Sequence, residues 1–155
     1  MAETGELKAK RRERFFRYAP LVLWIGMILF LSTSQASMSN TSRFIRPLLE
    51  FLFPGASEET LILYHGYIRK LAHLTEYAGL AFWAFWAFSN SNLKNLRRLW
   101  FVFAFLLVLL IALIDETNQS YLTSRTGSIY DVLLDASGGL IMLIFLILYR
   151  FRKNT

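Results

Sequence analysis

The sequence predicts an all-α fold: an integral membrane bundle of four transmembrane helices with an outer interfacial segment. Three observations predict it. Four apolar runs punctuate the chain, at about Phe15–Ser32, Leu71–Phe88, Leu99–Ile114 and Asp131–Tyr149. Clusters of Lys and Arg stand next to these runs, as membrane anchoring requires. None of the runs alternates apolar and polar residues in the manner of a barrel strand. The hydrophobic share is 55% of 155 residues, above the roughly 45–50% usual for soluble domains.

Each element has its own justification. The first run follows a basic segment, 1–17, and is lengthened by Phe15, Phe16 and Tyr18. With Ser34-Gln35-Ala36 after it, the same pattern also fits a secretory signal and its cleavage site, which would leave the later topology unchanged. From Ser34 to Tyr67, Pro47 and Pro54-Gly55 punctuate an outer loop, and Phe44–Phe53 reads as a short interfacial helix packed on the bundle. The second run carries Ala78, Ala81, Ala84 and Ala87, small residues that let helices approach closely. The third is short for a span of roughly 17–25 residues, unless its helix continues through Asp115 or starts at Leu96. The fourth contains Gly138-Gly139 and leads into a basic tail, 150–155. A membrane domain is expected over 18–149, between the basic segment 1–17 and the basic tail.

Orientation follows from the basic residues. Lys8, Lys10, Arg11, Arg12, Arg14 and Arg17 precede the first run; Lys94, Arg97 and Arg98 separate the second from the third; Arg150, Arg152 and Lys153 follow the fourth. Four crossings put all three clusters on one side, which the positive-inside rule makes cytoplasmic. The expectation is a multi-pass cell-membrane protein with both termini in the cytoplasm. Segments 33–70 and 115–130 then face outward.

Polar residues gather at that outer surface. Arg69, His73 and Glu76 share a helical stripe, as do Lys70, His73 and Tyr77. Asp115-Glu116-Thr117-Asn118-Gln119 closes the third run and places Asp115 and Gln119 one turn apart if the helix continues. Asp131 and Asp135 are likewise one turn apart, with Gly138 further along their face. Carboxylates at the mouth of a membrane helix are costly, so they need a partner or a ligand. The three stripes are expected to face one another in an outward-opening pocket. His65 reads as a solvated loop histidine.

The same survey excludes several functions. There are no cysteines, so disulfides, thiolate catalysis and zinc–thiolate sites are absent. No His-x-x-x-His or His-Glu-x-x-His arrangement is present, so neither a metal nor a cofactor is expected. No Gly-x-Ser-x-Gly elbow frames Ser124 or Ser128, and nothing suggests a nucleic-acid surface.

The run Arg69-Lys70-Leu-Ala-His73-Leu-Thr-Glu76-Tyr77-Ala-Gly-Leu80 resembles the hallmark of VanZ-like membrane proteins. So do Asp115-Glu116-Thr-Asn-Gln119, Arg125-Thr-Gly127-Ser128-Ile-Tyr-Asp131, Gly138-Gly139 and the serine-rich exit Ser32–Gln35. Two departures stand out: Thr123-Ser124 where the family often has Pro-Gly, and Asp135 where an Asn is common. The resemblance implies an integral protein of the bacterial envelope with four or so helices, of a family associated with tolerance to teicoplanin-type glycopeptides. Ser124-Arg125-x₅-Asp131-x₃-Asp135 also has the spacing of the last motif of type-2 phosphatidic acid phosphatases, but Asp131 replaces its histidine.

Three functions compete. As a binding or protective module, the pocket would hold an anionic lipid or lipid-linked envelope precursor. Its ligand-binding residues would be Arg69, Lys70, Tyr77, Glu116, Gln119, Arg125 and Asp135. As a hydrolase or transferase, it would use His73 as base or nucleophile, with Glu76, Asp115 and Asp131 as catalytic carboxylates. As a purely structural network, the charges would only hold the bundle together. The expected partners are the lipid bilayer and an envelope lipid, with no nucleic acid and no assigned oligomeric state.

Overall fold

A computed structural model describes residues 2–33, 38–121 and 128–154. Among the described residues six α-helices follow in order: α1 (Ala2–Leu31), α2 (Met38–Leu52), α3 (Glu58–Ser89), α4 (Lys94–Arg98), α5 (Trp100–Ser120) and α6 (Ile129–Asn154). No strand occurs among the described residues. Among the described residues three helical stretches are long and apolar enough to cross a membrane: Lys10–Leu31, Trp100–Ser120 and Ile129–Lys153. The protein is an all-helical membrane protein.

The boundaries depart from the sequence expectation where polar residues continue a helix. The third apolar run extends through Asp115 to Ser120, because Asp115 and Gln119 bond to each other along the helix rather than breaking it. The second run is the C-terminal part of a longer helix that starts at Glu58. Ser57 caps that start by accepting from the Thr60 amide, and Glu58 and Glu59 sit favourably at the positive end of the helix dipole. The helix expected over Phe44–Phe53 begins earlier, at Met38, and ends at Leu52.

α3 is the centre of the bundle. It packs against α1, α2, α5 and α6, most extensively α6, and among the described residues α2 packs on α3 alone of the helices. Tyr77, Leu80, Ala81, Ala84 and Ala87 of α3 are fully buried against Ala104, Val108 and Ala112 of α5 and Leu143 of α6. The alanines bring the backbones close, as their spacing predicts. Gly138 does the same for α6: a Cβ there would collide with the Leu74 carbonyl of α3. α1 is joined to α3 by the Trp24 indole, which donates to the Glu76 carbonyl at 2.9 Å.

The helices alternate in direction, and two levels can be defined. At one, Tyr18 of α1 donates to Ser91 after α3 at 3.0 Å, and the Arg150 guanidinium of α6 lies 5.8 Å from the Phe85 ring of α3 and 6.0 Å from Trp100 of α5. At the other, the ends of α1 and α5, the start of α6 and the middle of α3 converge on Asp115. Large apolar side chains such as Leu23, Phe30, Leu106, Ile141 and Phe145 point outward between these levels. In water this surface would drive aggregation; against lipid it is the solvated face.

Candidate functional site

A cavity of about 170 Å³ opens at the second level. Ile28 and Leu31 of α1 with Ser32 just after it, Thr41 and Ile45 of α2, Ile68, Arg69, Ala72, His73 and Glu76 of α3, and Asp115 and Gln119 of α5 form its walls. The stripe read from sequence, Arg69–His73–Glu76, is thus one continuous wall. The remaining walls are mainly apolar.

Asp115 lies at the heart of the site and is only 2% exposed. Its two carboxylate oxygens are each held: Tyr77 Oη donates to Oδ2 at 3.2 Å and Gln119 Nε2 to Oδ1 at 3.0 Å. Ser32 Oγ donates to the Asp115 main-chain carbonyl at 3.4 Å, tying the end of α1 to the end of α5. These donors orient the carboxylate and leave each oxygen a lone pair.

Asp135 differs. It is fully buried, and among the described residues neither oxygen accepts an aligned hydrogen bond. Its nearest ionisable neighbour is His73, with Nδ1 3.2 Å from Oδ1. That contact is short enough for an ion pair, but its angles do not make a hydrogen bond, and His73 Nδ1 is also without an aligned partner. Donor atoms of His73, Asp115 and Asp135 all lie within 4.8 Å of one another. Such a trio can hold a cation or pass a proton.

The other expected site residues have separate places. Glu116 is buried, but its Oε2 accepts from the Ser128 amide at 2.7 Å, at the start of α6. Asp131 sits in the first turn of α6, where a carboxylate meets the helix dipole, and is not in the cavity wall. Lys70 is exposed and lies outside the wall. Tyr77 enters the site as the partner of Asp115. Arg125 and the Ser34-Gln35-Ala36 stretch lie outside the described residues.

One expectation is overturned. His65 is not a solvated loop residue: it lies in α3, 4% exposed, with Thr41 Oγ1 at 3.1 Å from Nε2 and Ser42 Oγ at 3.3 Å from Nδ1. Burial and the nearby Arg69 charge lower its pKa below the ordinary value, favouring the neutral ring. Thr41 and Ser32 are the polar wall residues that local sequence patterns did not single out as ligands. Only the serine-rich exit of the first run hinted at Ser32.

With this geometry in view, a model of the VanZ/LLP1 family matches residues 17–150. The chain belongs to the VanZ/LLP1 family. No curated protein and no solved structure matches it significantly. In this VanZ/LLP1 chain the matched region contains every residue of the cavity wall, so the site is part of the family domain rather than an addition to it.

Proposed function

We propose that this VanZ/LLP1 protein spans the cell membrane four times, with both termini cytoplasmic, and presents the cavity to the outer leaflet. The fourth crossing is the part of α3 from about Leu71 to Phe88. From Leu71 to Phe88 this helix rises about 26 Å at 1.5 Å per residue, close to a bilayer core of roughly 30 Å. Its polar residues do not argue against crossing, because His73 and Glu76 line the cavity and Tyr77 is buried on Asp115. The basic residues Arg17, Lys94, Arg97, Arg98 and Arg150 then share the cytoplasmic face. α2 lies in the outer interface, with Phe44, Leu48 and Phe51 exposed on one apolar stripe.

The cavity binds the polar head group of a lipid or lipid-linked envelope precursor. The carrying observation is the composition of its wall, which joins Arg69, His73, Glu76, Asp115 and Gln119 with the apolar Ile28, Leu31, Ile45 and Ile68. Arg69 suits a phosphate or carboxylate, the acids and Gln119 suit hydroxyls, and the isoleucines suit the start of an acyl or polyprenyl chain. By sequestering such a lipid, the protein contributes to tolerance of teicoplanin-type glycopeptides.

The test is teicoplanin susceptibility in a sensitive Gram-positive host carrying empty vector, wild type or Arg69→Ala at equal membrane abundance. Wild type raises the inhibitory concentration several-fold and the variant returns it to the vector value. Equal protection by both would move the effect away from the cavity. A second reading rests on the His73–Asp135 approach of 3.2 Å, which suits a base and its orienting acid in a lipid-linked hydrolase or transferase. Turnover of a labelled envelope lipid by purified protein separates the two.

A further inference from the structure

We infer that His73, Asp115 and Asp135 form a binding site for a divalent transition-metal cation such as zinc. The three side chains come from α3, α5 and α6, which explains why no local metal motif marks them in the sequence. Their donor atoms lie within 4.8 Å of one another. Two donors bound to one ion at about 2.0–2.2 Å stand roughly 3.0–3.5 Å apart. His73 Nδ1 and Asp135 Oδ1 are 3.2 Å apart without a hydrogen-bond alignment, a spacing that a shared ion also fits.

Two further observations point to a ligand. Asp135 is 0% exposed, and among the described residues both its oxygens lack a hydrogen-bond donor, a costly arrangement for a carboxylate left to itself. Asp115, in contrast, is steered by Tyr77 and Gln119, the kind of outer support that fixes a metal-binding carboxylate. Two carboxylates and one imidazole brought together from three helices make a donor set that a divalent cation accepts. An imidazole beside two carboxylates favours zinc or its first-row neighbours over calcium or magnesium. His73 and Asp115 also line the cavity, so an ion held between them keeps a coordination position toward it. Metal binding stands or falls without reference to the head-group proposal.

Purified full-length protein in nanodiscs, stripped with a chelator, is titrated with zinc chloride by calorimetry and with cobalt chloride by visible absorption. One equivalent binds, and cobalt develops the bands of four- or five-coordination. Asp135→Asn, nearly identical in shape, and His73→Ala each weaken zinc by more than about tenfold, since even outer-shell changes cost roughly 10–100-fold. Glu50→Gln, on the exposed face of α2, leaves affinity unchanged. No stoichiometric binding by the wild type overturns the inference whatever the variants do. Weakening by less than tenfold in either site variant overturns this ligand set.

Discussion

At the scale of single residues, burial decides what each polar group can do. Asp115 keeps its carboxylate deep in the bundle because Tyr77 and Gln119 reach both oxygens. His65 shows the same rule for a histidine, buried between Thr41 and Ser42. Its folded pKa is lowered, so over the window below the ordinary value of 6.5 the unfolded or undocked state takes up the proton first. The α2–α3 contact is therefore most stable above that value and weakens as pH falls through it. Amide hydrogen exchange in α2, corrected for the intrinsic pH effect, is expected to quicken between about pH 7.5 and 5.5. His65→Gln, which can keep a hydrogen bond but cannot titrate, is expected to flatten the change; an undiminished change would place the cause elsewhere. The sequence left His65 looking idle because its partners lie 23 and 24 positions away on another helix.

At the scale of elements, the bundle is closed by small residues at crossings. Gly138 faces the Leu74 main chain, which cannot rotate aside as a side chain can. Gly138→Ala should therefore part α6 from α3 and cost about 1–3 kcal/mol, read as lowered thermal stability in detergent. Gly26→Ala is the control: it has open space around it, and alanine favours a helix. Equal stability in both variants would show that the crossing tolerates a methyl group. The glycine pair was legible as a close approach from sequence alone, but the backbone it approaches was not. α5 behaves similarly. Spacing suggested that Asp115 and Gln119 could meet if the helix ran on, and the helix does run on to Ser120.

At the scale of the whole molecule, α3 raises the sharpest question, because it is the central helix yet not among the three apolar enough to be counted as a span. A helix surrounded by protein need not be apolar on every side to cross a membrane. The absence of native cysteines makes single-cysteine labelling clean. Ser57→Cys, before α3, is expected to react with an impermeant thiol reagent in intact cells; Asn95→Cys, after it, only once the membrane is opened. Reaction of both from the same side would mean that α3 does not cross.

The sequence by itself determined the helical membrane character, through apolar runs longer than soluble helices require, and the family, through motifs spread along nearly the whole chain. It also identified His73, Asp115 and Asp135 as residues needing partners, since charges beside lipid are costly wherever they fold. Only the tertiary structure decided which of them meet. His73, Asp115 and Asp135 converge because α3, α5 and α6 pack through alanines and glycines, whereas Glu116 turns to the Ser128 amide and Asp131 stays at its helix start. The physical reason is range: hydropathy and helical spacing act within a few turns, but the depth and rotation of one helix against another are set by packing across the whole bundle.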